Sequence, residues 1–96
     1  MIGPSIGLDT RPRRKERVLV QRAADQWILL NVESGQYYAL DDVSGRVWDL
    51  CDGSHSVSAM VAAICQEYDA PAGEIEEDVL AFLGEMAQEE LVVHET

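Results

Sequence analysis

Two cysteines and two histidines are the residues of this chain whose chemistry is suited to catalysis or metal binding. Cys51 and His55 are four residues apart, but Gly53 lies between them, so their side chains need not share a helical face. A cysteine nucleophile also needs an oxyanion site and a substrate cleft, and the sequence indicates neither. A zinc site that adds Cys65 and His94 lacks a CxxC pair or a recognised spacing. We therefore predict no catalytic residue and no metal site.

Other chemical motifs are also missing from the sequence. The acidic run from Glu74 to Asp78 has no glycine turn of a calcium loop, and it fits the start of a helix, where the helix dipole favours acids. No glycine-rich phosphate loop is present. Cys51 and Cys65 lie in apolar, helix-like windows, which is typical of buried and reduced cysteines in a cytosolic protein. The sequence therefore predicts no cofactor.

The formal net charge of −11 is unevenly distributed. Residues 1–22 carry six of the seven cations and two acids, whereas residues 23–96 carry Arg46 against sixteen acids. A body this acidic repels phosphate backbones, which argues against nucleic-acid binding. No apolar window is long enough to cross a membrane, and the N-terminus lacks the pattern of a secretory signal. We expect a cytoplasmic protein that binds neither nucleic acid nor membrane.

The 96 residues allow one domain with a single core. Residues 1–16 are basic, contain two prolines and are predicted to form a flexible arm, which leaves 17–93 as the folded domain. Apolar and β-branched runs predict strands over 17–22, 26–32 and 36–41. Gly35, which tolerates positive φ, marks the hairpin turn between the second and third strands.

Three amphipathic helices follow the strands. Asp41 or Asp42 is suited to cap the first helix, which ends at Asp52–Gly53, and Ser56 is suited to cap the second. The third helix is predicted from about Pro71 to Glu90, before a last apolar segment at 91–93. The fold class is therefore α+β, with a three-stranded antiparallel meander that three helices must cover on one face.

The third strand is an unprotected sheet edge, because it carries no charge and no proline. An extended peptide can add to such an edge through main-chain hydrogen bonds, while side-chain pockets supply selectivity. The third helix forms the second wall of a groove if it packs beside this strand. The strand residues are Gln36, Tyr37, Tyr38, Ala39 and Leu40, and the apolar helix residues are Val79, Phe82, Leu83 and Met86.

The chain resembles the PqqD family over about residues 17–93. The resemblance lies in LNVESGQYYAL at 30–40, GRVWDLCDG at 45–53, the helix at 57–68, and DVLAFLGEM at 78–86. This family comprises recognition elements for ribosomally made, post-translationally modified peptides. The resemblance implies a winged-helix-like domain whose third strand pairs with a leader peptide. Asp78, Val79, Phe82 and Met86 would line the leader's pockets. Glu90 departs from the family, in which a glycine is common, so the last helix is expected to end differently.

The resemblance also implies a modifying enzyme as a second partner. A free-standing chain of this kind is similar to the leader-binding proteins of lasso-peptide clusters, which act beside a transglutaminase-like leader peptidase and an ATP-dependent cyclase. The alternative is the PqqD type, which serves a radical-SAM enzyme. Two other classes remain: a winged-helix DNA-binding regulator, which the acidic helices disfavour, and a structural subunit whose open edge pairs with itself.

Overall fold

Three antiparallel strands precede three helices along the chain, and a further short strand lies at each end of this series. The computed structural model describes residues 6–23 and 26–95. The strands are β1 (Arg11–Arg14), β2 (Val18–Ala23), β3 (Gln26–Asn31), β4 (Tyr37–Leu40) and β5 (Val92–Glu95). The helices are α1 (Asp42–Leu50), α2 (Val57–Tyr68) and α3 (Ala72–Gln88). The predicted α+β fold, a three-stranded meander followed by three helices, is confirmed.

The strands β2, β3 and β4 form an antiparallel sheet in that order. Side chains alternate across each strand, so that every second residue faces the helices. Leu29 and Leu40 lie on this inner face and are 0% and 6% exposed, whereas Leu19 and Tyr37 on the outer face are 58% and 70% exposed. The helices therefore cover one face of the sheet.

The turn between β3 and β4 has the predicted glycine geometry. Gly35 has a φ of +76°, which a residue with a side chain rarely adopts. The buried Asn31 holds the turn, because its Oδ1 accepts hydrogen bonds from the main-chain N–H groups of Glu33 at 3.0 Å and Ser34 at 3.4 Å. This role of Asn31 was not predicted from the sequence.

The helices begin and end where short polar residues and glycine predicted their limits. Asp41 caps α1 by accepting a hydrogen bond from the N–H of Ser44 at 2.8 Å. Ser56 caps α2 through the N–H of Ala59 at 3.2 Å. Gly53, with φ of +84°, turns the chain away after α1. These caps satisfy N–H groups that have no partner inside the helix.

The core is one cluster in which the apolar stripes of all three helices meet the inner face of the sheet. Trp48 of α1 is 2% exposed within this cluster. Seven members with no exposed surface show how every helix and the central strand contribute: Leu29, Val47, Val57, Met60, Ile64, Val79 and Leu83.

Trp27 joins α1 to the sheet. Its indole lies directly against Gly45, where a Cβ atom would overlap the ring. The guanidinium carbon of Arg22 lies 3.9 Å from the ring centroid, a cation–π contact between β2 and β3. A glycine is therefore required in α1 at the point where the helix crosses the tryptophan.

The N-terminal segment differs from its prediction as a flexible arm over 1–16. Residues 1–5 lie outside the described residues, but β1 pairs antiparallel with β5. Pro12 is buried, and its carbonyl accepts a hydrogen bond from the N–H of Gly53 at 3.0 Å. Arg14 Nη1 donates to the carbonyls of Trp48 and Asp49, each at 2.9 Å. The arginine thus satisfies carbonyls at the end of α1, which is why this basic segment is ordered.

The end of α3 retains a glycine-type geometry although residue 90 is a glutamate. Glu90 has φ of +59°. The N–H of Leu91 donates to the carbonyl of Met86 at 2.9 Å, and the N–H of Glu90 donates to that of Ala87 at 3.1 Å. This pair of bonds is the Schellman motif, which usually has glycine at the left-handed position. The expectation of a different helix end is therefore wrong.

Replacing Glu90 by glycine should stabilise the domain. A side chain in the left-handed conformation costs about 1–2 kcal/mol, and the larger entropy of an unfolded glycine cancels part of the gain. We expect Glu90→Gly to raise the free energy of unfolding by about 0.5–1 kcal/mol in a urea titration. Glu89→Gly removes the same charge at a φ of −85° and should lower stability. A Glu90→Gly variant less stable than Glu89→Gly would contradict this account.

A methyl group added at Gly45 of α1 should show the steric effect of Trp27, as distinct from the general effect of alanine on helix propensity. Gly45→Ala forces the helix off the indole and should destabilise the domain by about 1–3 kcal/mol. Gly84→Ala is the matched control, because nothing lies within 4 Å of its Cβ position in α3 and alanine favours a helix by about 1 kcal/mol. Thermal unfolding of both variants measures the contrast, and a stabilising Gly45→Ala would show that the contact is loose.

Candidate peptide-binding site

The strand β4 is an edge of the sheet and, among the described residues, pairs with β3 alone. The N–H of Asn31 donates to the carbonyl of Gln36 at 2.9 Å. Asn31 and Gln36 are therefore a hydrogen-bonded pair, and this pair shows which residues of β4 bond to β3. In an antiparallel ladder, residues alternate between bonding the neighbour and facing away from it. Tyr38 and Leu40 therefore bond β3, whereas the N–H and C=O groups of Tyr37 and Ala39 point to the open side.

The side chains of the five predicted strand residues divide between the two faces. Tyr37 and Ala39 are exposed on the outer face. Leu40 is buried on the inner face, and Tyr38 is half-buried there. Gln36 is exposed at the start of the strand, where its Oε1 accepts a hydrogen bond from the Tyr38 hydroxyl at 2.8 Å. Side chains therefore alternate between the two faces along β4, as strand geometry requires.

The predicted residues of α3 are mostly interior. Val79 and Leu83 are 0% exposed, Met86 is 2% exposed and Phe82 is 9% exposed, all within the core cluster. Asp78 is exposed. Apart from a margin of Phe82, the predicted apolar residues offer a ligand almost no surface in the free chain.

The end of α3 lies next to β4 through a contact between Glu89 and Tyr38. The Tyr38 hydroxyl also lies 2.8 Å from Glu89 Oε1, so its single proton serves either this carboxylate or Gln36. Partial burial, the hydrogen bond to Glu89 and the nearby charge of Glu85 raise the pKa of Tyr38 above its usual value, so the phenol keeps its proton and remains a donor. Residues 81, 85 and 89 are spaced as one helical stripe and are all exposed. Glu85 and Glu89 were not predicted as site residues from the sequence.

A cleft lies at each end of β4. The cleft beside Gln36 has a volume of about 540 Å³ and is lined by Lys15, Asn31, Glu33, Ser34, Gln36, Gln88, Glu89 and Glu90. The cleft beside Leu40 has a volume of about 410 Å³ and is lined by Gln26, Ala39, Leu40, Asp41 and Asp42. Both are polar at their rims, so that an extended segment running along β4 passes acidic groups at both ends.

The residues considered for catalysis do not form a reactive pair. Cys51 is 0% exposed, its Sγ donates to the carbonyl of Val47 at 3.1 Å, and burial raises its pKa to about 12. His55 Nδ1 lies 3.0 Å from Asp52 Oδ1. Cys51 and Cys65 are both free thiols. In the parts of the chain that the structure covers, no three potential metal ligands come together, and no helix has the length and hydropathy needed to span a membrane.

Known proteins with similar sequences share one description. The family model "Coenzyme PQQ synthesis protein D (PqqD)" matches residues 26–92. A PqqA binding protein of Xanthomonas axonopodis pv. citri (strain 306) is 35% identical to this chain, covering 88% of the chain and 91% of the relative. The PqqA binding protein of Rhodopseudomonas palustris (strain HaA2) is 31% identical, covering 86% of this chain and 81% of the relative.

Solved structures show the same fold. TbiB1 in complex with the TbiA(beta) leader peptide is 31% identical, with a TM-score of 0.74 and coverage of 83% of this chain and 93% of TbiB1. The PqqD truncation of Methylobacterium extorquens PqqCD, a stand-alone recognition element, is 29% identical, with a TM-score of 0.77 and coverage of 93% and 95%. A lasso peptide synthetase B1 complexed with its leader shares the fold at 19% identity and a TM-score of 0.76, with coverage of 86% and 98%. From the matched residues and the shared architecture, this chain belongs to the PqqD family.

Proposed function

We propose that this chain binds the leader segment of a ribosomally made precursor peptide and presents the precursor to a modifying enzyme, without catalysing a reaction itself. In this proposal the leader adds to the sheet as a new strand beside β4. The observation that carries the proposal is the outward-facing main chain of Tyr37 and Ala39 on an edge that no described strand covers.

Main-chain pairing supplies the affinity. Tyr37 and Ala39 each offer one N–H donor and one C=O acceptor to an incoming strand. Each hydrogen bond contributes a net of about 0.5–1.5 kcal/mol, because the groups exchange water for a protein partner. The protein loses little freedom on binding, since β3 holds one side of β4 and the Tyr38–Glu89 hydrogen bond holds its inner face.

Side chains beside the edge supply selectivity. Gln36 and Tyr38 flank the pairing segment on the inner side. On α3, we propose that Asp78 and the exposed margin of Phe82 contact leader side chains. The remaining predicted α3 residues, which are interior, support that wall from the core: Val79, Leu83 and Met86.

The relatives support a peptide ligand. The curated relatives are named PqqA binding proteins, and TbiB1, at 31% identity, is described in complex with a leader peptide. A DNA-binding regulator fits less well, because α3 exposes carboxylates along its length: Glu74, Glu77, Asp78 and Glu85. The buried, protonated Cys51 fits a binding protein better than an enzyme.

For the enzyme partner, we propose the lasso-peptide type: a transglutaminase-like leader peptidase with an ATP-dependent cyclase. The resemblance of the sequence to the leader-binding proteins of lasso-peptide clusters favours it, and TbiB1, at 31% identity, is a relative in complex with a leader peptide. The second candidate is the PqqD type, which serves a radical-SAM enzyme, and the names of the curated relatives favour it. The neighbouring genes discriminate between the two candidates. A gene for an asparagine-synthetase-like cyclase would indicate the lasso-peptide type, and a gene for a radical-SAM enzyme would indicate the PqqD type.

A proline at position 39 should block leader binding while sparing the fold. The N–H of Ala39 faces away from β3, so proline removes a donor from the leader without breaking the β3–β4 ladder. We expect Ala39→Pro to weaken binding by about tenfold or more, from one lost hydrogen bond and a ring in the path of the guest strand. Fluorescence anisotropy with labelled TbiA(beta) leader, PqqA and any precursor encoded beside this chain measures the effect.

Ala39→Val is the matched control, because valine keeps the N–H group and favours a strand. Urea unfolding of both variants verifies the fold. Equal affinity of a folded Ala39→Pro variant and Ala39→Val would exclude pairing at this edge. Failure of all three peptides to bind the unsubstituted chain would contradict the proposed function itself.

A further inference from the structure

Carboxylates border the open side of β4 where it approaches α3. Glu89 is held at the strand by the Tyr38 hydroxyl at 2.8 Å, and Glu85 acts on the same phenol electrostatically from one helical turn earlier. Glu33 and Glu90 line the cleft at the adjoining end of the strand, with Lys15 on its wall. A peptide that enters this edge therefore meets an excess of negative charge.

Three arginines have partners other than the carboxylates at the β4 edge. Arg14 binds the terminal carbonyls of α1. Arg46 forms an ion pair with Glu67 at 2.9 Å, and Arg22 lies over Trp27. Among the described residues, Glu85 forms no ion pair, and the partner of Glu89 is a neutral phenol. The charge at the β4 edge is thus left uncompensated by these cations.

The register of strand pairing determines which leader residue lies near the carboxylates of Glu85 and Glu89. A leader residue placed opposite Tyr38 points to the same face as Tyr38, because directly paired residues share a face of the sheet. That face is the inner one, toward Glu85 and Glu89. Residues of the leader opposite Tyr37 and Ala39 point instead to the outer face.

We propose that this chain selects a cationic leader, with a lysine or arginine at the position opposite Tyr38 that binds the carboxylates of Glu85 and Glu89. The inference rests on the proposed function, because it assumes strand addition at β4. A guanidinium or ammonium group on a four-atom or longer stem reaches both carboxylates, which lie one turn apart on the same helix stripe. Main-chain pairing supplies affinity for any extended peptide, and this ion pairing distinguishes a basic leader from an acidic one.

A display library of random peptides, about twelve residues long so that they span β4, tests the charge preference. Purified chain should enrich peptides of positive net charge. For a synthetic enriched peptide, Glu85→Gln/Glu89→Gln should weaken binding by about 2- to 30-fold, as expected for two exposed ion pairs. The loss should be larger at about 0.05 M than at about 0.5 M ionic strength, because salt screens exposed charges. Glutamine keeps the acceptor for Tyr38, so the inner face is retained.

Glu74→Gln/Glu77→Gln is the control, because it removes the same charge from the opposite end of α3 and should leave the affinity unchanged. Ala39→Pro separates this inference from the proposed function. Enrichment of neutral or acidic peptides whose binding Ala39→Pro abolishes would overturn the charge preference and leave strand addition intact. Peptides that bind Ala39→Pro as well as the unsubstituted chain would overturn both.

Discussion

The contact between Trp27 and Gly45 fixes the geometry on which the rest of the domain depends. Trp27 pairs with Leu40 across β3 and β4, and Asp41, the next residue, caps α1. The indole against Gly45 then sets the distance between the first turn of α1 and the sheet. The end of β4 and the start of α1 consequently form one junction. This junction holds the edge strand in place, although no described strand pairs with its open side.

Local signals in the sequence were sufficient to predict the three-stranded sheet, the three helices and the caps of α1 and α2. Gly35, Asp41 and Ser56 act within a few residues of their own positions, so a pattern of residue types identifies them. The β1–β5 ribbon was missed because its partners are about 80 residues apart in sequence. The segment that contains Arg14 was predicted to be a flexible arm for the same reason, since the carbonyls that Arg14 binds belong to α1, which is distant in sequence.

The main-chain part of the candidate site could be predicted from the sequence, whereas its side chains could be predicted only in part. Alternation along β4 places Tyr37 and Tyr38 on opposite faces, and this pattern follows from strand geometry with a period of two, without tertiary information. The apolar stripe of α3 could not show which of its residues pack in the core and which line a groove. Val79 and Leu83 are buried in the core. Glu85 and Glu89 become candidates for the site only through the contact of Tyr38 with α3, which the sequence does not show.

An edge strand that is open to a peptide ligand would be equally open to a second copy of the chain, and such pairing would lead to oligomers or fibres. The net charge of −11 opposes that outcome, since two approaching copies bring carboxylates against carboxylates. Because β4 is four residues long, the same strand of a second copy could form few main-chain hydrogen bonds with it. Charge repulsion therefore opposes self-association of the chain, and this repulsion weakens as ionic strength rises.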